Sequence, residues 1–170
     1  QIITTPEDID KADNTYKIED YTIPSFTQFL VAKEAARKDF SEANVAALNQ
    51  KIEELKSYQY PYSIVVNING DPSTRLAFAW FTNDRMTEGK VQLTPLADLS
   101  QLNTVFDTAT DIITVDAVAT TTKKIRYAIG LSGIPEATGV SMSTKYKYTS
   151  HKAIAQGLIP NTVYAYRVGV

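Results

Sequence analysis

The sequence predicts a mainly β protein, a two-sheet sandwich carrying an N-terminal α-helical hairpin, and three observations carry that prediction. Apolar residues recur every three or four positions as far as Leu55 and every two positions from Ile64 onward, so helical periodicity gives way to strand periodicity around Tyr58-Gln59-Tyr60-Pro61-Tyr62. The stretch Arg75-Leu76-Ala77-Phe78-Ala79-Trp80 alternates and puts Leu76, Phe78 and Trp80 on one inward face. The stretch Gly157-Leu158-Ile159-Pro160-Asn161-Thr162-Val163-Tyr164-Ala165-Tyr166-Arg167-Val168-Gly169 is a turn that feeds a strand, with Pro160 fixing φ and Asn161 able to bond its own backbone. In a two-sheet sandwich, a tyrosine just past such a corner buries its ring and bonds backbone through its hydroxyl. Tyr164 stands at that position.

Taken in order, Thr5-Pro6-Glu7-Asp8 has the composition of a helix start, with a capping residue, Pro in the first turn and acids near the positive end of the dipole. Few apolar residues follow, namely Ile9, Ala12, Tyr16 and Ile18, so residues 1–20 are expected to form a short helical turn or an ordered arm. Residues 21–57 read as a helical hairpin. Thr22 serves as cap with Pro24 in the first turn, and Phe26, Phe29, Leu30, Ala36 and Phe40 make one stripe; Ser41 then caps a second helix with the seam Val45, Leu48, Ile52 and Leu55. Two such helices are marginal in isolation, so they are expected to pack against further protein. Pro61 disfavours helix at Tyr60 and starts the extended region.

From there the pattern predicts strands over Ile64–Asn69, Arg75–Thr82 and Lys90–Thr94, separated by turns at Gly70–Ser73 and Asn83–Gly89. Between 95 and 122 it predicts a turn of helix within Leu96–Phe106, a strand over Ile112–Val118 and a β-prone edge at Thr120–Thr122. Lys124–Leu131 reads as a strand and Ser132–Gly139 as a loop. The expected domains are an arm and hairpin over 1–60 and a sandwich over 61–170.

The run from His151 to Gly169, with its Gly-Leu-x-Pro-x-Thr-x-Tyr-x-Tyr-Arg-Val-Gly pattern, resembles the last strands of a particular immunoglobulin/fibronectin type III-like domain. That domain precedes the catalytic domain in purple acid phosphatases and related bacterial metallophosphoesterases of the calcineurin-like phosphoesterase family. The resemblance implies structural roles for Trp80, Leu158, Pro160 and Tyr164. It also implies a metal-dependent catalytic domain on the same polypeptide, with a two-metal centre, and a bacterial secreted or cell-surface setting. In the resembled domain a final strand follows Tyr-Arg-Val-Gly. That strand is missing by Val170, so the expectation is that the natural chain continues. The strand at 163–168 would then be covered by the 95–122 segment or would support strand-edge self-association. Tyr21-Thr22-x-x-Ser25-Phe26-x-x-Phe29, followed by Ser41 and Asn44-Val45, is similar to half of a FIVAR-type helical module.

Composition narrows the chemistry. Net charge is −2, which supplies no field for nucleic acid, and no apolar run reaches the roughly 18 residues a membrane helix needs. There is no cysteine and one histidine, His151, whereas a two-metal phosphoesterase centre needs several histidines with Asp and Asn. Gly70-Asp71 reads as a turn, Gly130-Leu131-Ser132-Gly133 misses the nucleophile-elbow spacing, and Lys123, Lys124 and Arg126 read as a solvated edge. No catalytic, cofactor-binding or metal residues are assigned. The expected function is a non-catalytic accessory domain. The competing reading is a carbohydrate- or surface-binding module of an extracellular hydrolase, using Tyr58, Tyr60, Tyr62, Tyr146 and Tyr148 as a strip.

Overall fold

The computed structural model describes residues 1–125 and 146–170, except for the side chains of 122–125, 146 and 147. The loop expected at 132–139, the nucleophile-like 130–133 and most of the strand expected over 124–131 lie outside the described residues, as do the side chains of Lys123, Lys124 and Arg126. The chain groups into two compact units, Gln1–Tyr60 with Thr122–Tyr148, and Pro61–Thr121 with Thr149–Val170.

In the first unit, α1 (Pro6–Thr15) is longer than the turn or arm expected. Its start is held by Asp8, whose carboxylate accepts from the N–H groups of Thr4 and Thr5, both at 3.0 Å. Those bonds hold its pKa well below the usual carboxylate range. Ile3, Ile9 and Ala12 are buried against Phe26, Phe29, Ala36, Leu48 and Ile52. Ile3 is fastened by Asn49, which donates to its carbonyl at 3.1 Å and accepts from its N–H at 2.8 Å. A 3-10 turn (Ile18–Asp20) leads to α2 (Ile23–Lys38) and α3 (Glu42–Glu53), the expected hairpin.

Two details of the hairpin differ from the pattern. Phe40 falls beyond the end of α2 and is exposed, because the helix stops at Lys38 and the stripe stops with it. Thr22 precedes α2, but its hydroxyl pairs with that of Ser25 at 2.8 Å rather than with a backbone N–H. Ser41 does cap α3, accepting from the Asn44 N–H at 3.3 Å.

The described residues hold seven strands: β1 (Tyr62–Ile68), β2 (Leu76–Asn83), β3 (Lys90–Pro95), β4 (Ile113–Asp116), β5 (Val118–Ile125), β6 (Tyr146–Ala155) and β7 (Tyr164–Gly169). They form a four-stranded sheet ordered β1-β2-β6-β5 and a three-stranded sheet ordered β4-β3-β7. The protein is thus a mainly β sandwich with N-terminal helices. Phe78, Trp80, Val91, Leu93, Ala153, Ala155 and Leu158 fill the space between the sheets. The 95–122 segment contains a 3-10 turn (Leu99–Gln101), α4 (Val105–Thr108) and β4. It does not take the outer edge of β7: β4 pairs with β3 on the side away from β7, from Lys90 opposite Asp116 to Leu93 opposite Ile113.

Candidate functional site

Two corners lock the sandwich. At the first, Gly70 takes φ +76°, and the Asp71 carboxylate accepts from the Ser73 N–H at 2.9 Å and the Ser73 hydroxyl at 2.7 Å. These bonds stabilise the ionised form and lower the pKa of Asp71, so the carboxylate is committed to the turn. At the second, Pro160 and Asn161 turn the chain into β7, with Asn161 at φ +53°. The Tyr164 hydroxyl accepts from the Ile159 N–H at 2.9 Å, while its ring packs on the core. Leu158 is buried and its N–H donates to the Thr74 carbonyl at 3.0 Å, which joins the two corners. Trp80 lies fully buried at the centre.

His151 sits inside β6, fully buried, with its ring stacked on Trp80 at 5.3 Å and 9° between planes. Its Nε2 is 2.7 Å from the Thr82 hydroxyl, and Nδ1 has no hydrogen-bond partner. Burial pushes its pKa below the ordinary imidazole value. The sequence signal for its burial is the even spacing of His151 from Ala153 and Ala155 along one strand face.

The second feature is an opening. Cross-strand partners share a face, so Val66 opposite Phe78 and Ile68 opposite Leu76 point to the side on which the core lies. Yet Val66 is 39% and Ile68 73% exposed, while Phe78 is 1% exposed. In the three-stranded sheet β7 stands last in the order of the described strands, and Tyr166, which packs against Phe78 at 5.1 Å between ring centres, is itself exposed. A groove of about 540 Å³ lies between the two corners, lined by Pro72, Leu76, Leu158, Val163 and Tyr164 among others. Uncovered apolar side chains beside an open strand edge are the physical signature of a surface that receives further polypeptide. The other face of β7 is partly covered, since the Arg167 guanidinium lies 4.4 Å from the centre of the Phe106 ring.

A family model described as "Purple acid Phosphatase, N-terminal domain" matches residues 61–170. The chain belongs to this family. The matched span starts one residue before β1 and includes both corners, Trp80, His151 and the open edge. No curated protein and no solved structure matches the chain. The two-metal centre that the sequence resemblance implies for a catalytic domain would need clustered His, Asp and Asn ligands. The donor set here does not fit such a centre. The sole histidine is enclosed by Trp80, Thr82 and Gly89, and among the described residues no group of three His, Cys, Asp or Glu could hold a metal. Of the tyrosines named as a sugar-binding strip, Tyr60 is exposed and Tyr62 tilts against Phe81 at 6.0 Å between ring centres. No helix of the described residues is long and apolar enough to cross a membrane.

Proposed function

We propose that the chain is a non-catalytic accessory region of a purple acid phosphatase-like metallophosphoesterase, supporting a metal-dependent catalytic domain on the same polypeptide. The observation that carries this reading is the opening between β1 and β7. Val66, Ile68 and Tyr166 offer apolar contact, and the edge of β7 that no described strand occupies offers backbone hydrogen bonds to an added strand. A strand laid there completes the three-stranded sheet and brings whatever follows it against the sandwich. The polypeptide that fills the gap has apolar residues at alternate positions, to meet Val66 and Ile68 on one side.

The chain itself contributes rigidity rather than chemistry, and it carries no cofactor of its own. The test is an assay of purified residues 1–170 against a chromogenic phosphomonoester with Zn²⁺, Mn²⁺, Fe²⁺/Fe³⁺ or Mg²⁺. The expected result is no turnover. Metal-dependent turnover that co-purifies with the chain and is abolished by His151→Ala would contradict the proposal.

A further inference from the structure

Beyond this supporting role, the buried histidine has a geometry of its own. We propose that His151 is a pH-operated latch: the sandwich accepts it as the neutral imidazole, and protonation opens the turn between Asn83 and Gly89 that closes over it.

In this proposal the ring proton sits on Nε2: the Thr82 hydroxyl lies 3.1 Å from the Asn83 carbonyl and donates there, and the imidazole donates to it from Nε2–H at 2.7 Å. Nδ1, which has no hydrogen-bond partner, then carries a bare lone pair. Nδ1 faces Gly89: a Cβ built on that glycine would lie 2.7 Å from Nδ1 and 3.1 Å from Trp80 Cζ2. The Gly89 carbonyl accepts from the Ala117 N–H at 2.8 Å, and Nδ1 has no hydrogen-bond partner. A proton added to Nδ1 would thus create a buried cationic donor with no acceptor, the arrangement a protein interior tolerates least.

Among the described residues, no ionisable group is paired with the ring. β2 presents Trp80 and Thr82 to the ring, and the turn presents Gly89. On β6 the adjacent Lys152 is exposed, and toward β5 Thr149 pairs with the Thr121 hydroxyl at 3.2 Å. The charged residues of the turn and its flank are Asp84, Arg85, Glu88 and Lys90, and Lys90 is held by Asp116 at 2.9 Å. The lowered pKa arises from desolvation. The proposed opening lies at Gly89, which covers Nδ1 with no side chain.

The sign follows from linkage. The unfolded histidine titrates near pH ~6.5 and the folded one lower, so the unfolded chain binds more protons between the two values. His151 therefore stabilises the fold fully above pH ~6.5. That contribution is lost as pH falls through this window, by up to about tenfold in the folding constant per pH unit.

The chain has one histidine and one tryptophan, so both can be followed without assignment ambiguity. In an NMR and fluorescence titration of the whole chain, the imidazole resonance is expected to titrate reversibly below pH ~6.5, with Trp80 emission changing at the same midpoint. His151→Gln retains an amide donor for Thr82 and does not titrate, and it should abolish the emission step. An imidazole midpoint at or above ~6.5, constant Trp80 emission through that titration, or an unchanged step in His151→Gln would overturn the proposal. If the variant does not fold, the two wild-type titrations decide.

Discussion

Tyr164 and Gly89 do opposite things with one atom. The Tyr164 hydroxyl adds a bond to the Ile159 N–H across the corner, whereas Gly89 lacks the Cβ that would strike His151. Tyr164→Phe is expected to cost about 0.5–1.5 kcal/mol, the usual worth of one hydrogen bond, with the ring packing kept. Gly89→Ala is expected to cost about 1–3 kcal/mol, as an overpacked core does, and to perturb Trp80 emission. Trp80→Ala should exceed both, at roughly 3–5 kcal/mol. Urea denaturation of the three variants tests the order. The corner and the inward Trp80 were legible because Pro160, Asn161 and the period-two pattern act within a few residues of each other. The His151 pocket was not legible in that way. Its partner Thr82 is 69 positions away, and only the folded register of β2 and β6 brings them together.

Among the elements, α1 shows how a sparse apolar pattern becomes a packed helix. Ile3 precedes the helix, so a search for periodicity within residues 6–15 passes over it, yet it is almost fully buried and clamped from both sides by Asn49. Arg37 adds bonds to Asp10 at 2.8 Å and Asp13 at 2.7 Å, and Lys33 pairs with Asp13 as well. Those partly exposed pairs are worth little beside the apolar burial. Ile3→Ala is accordingly expected to destabilise the helical unit by about 2–5 kcal/mol. Arg37→Ala should stay within about 1 kcal/mol of wild type by circular dichroism melting. The 95–122 segment was the least legible part, because residues 99–108 make only two short helical pieces. Its β4 finds the edge of β3 through long-range pairing, for which local sequence carries no signal.

For the whole molecule, the open side of the sandwich is the feature that connects structure to proposed function. Val66 and Ile68 already face solvent, so Val66→Lys and Ile68→Lys should alter the stability of residues 1–170 by no more than about 0.5 kcal/mol. The same substitutions should lower the thermal stability of a protein that also carries the proposed catalytic domain, because there they would place charge in a buried contact. The contrast between the two settings separates docking from folding. The family and the sandwich were legible from the 151–169 run. What fills the gap was not, since an uncovered face becomes visible only when both sheets are in place.

Hydrogen exchange at β1 and β7 tests the central claim most directly. Amides of residues 65–68 and 164–168 would be followed by mass spectrometry in residues 1–170 alone and in the protein extended by the catalytic domain. In the chain alone, the outward amides of these strands should exchange quickly while those of the central strand β2 remain protected. In the extended protein both edges should become protected together. Equal exchange at the two edges with and without the catalytic domain would contradict the account.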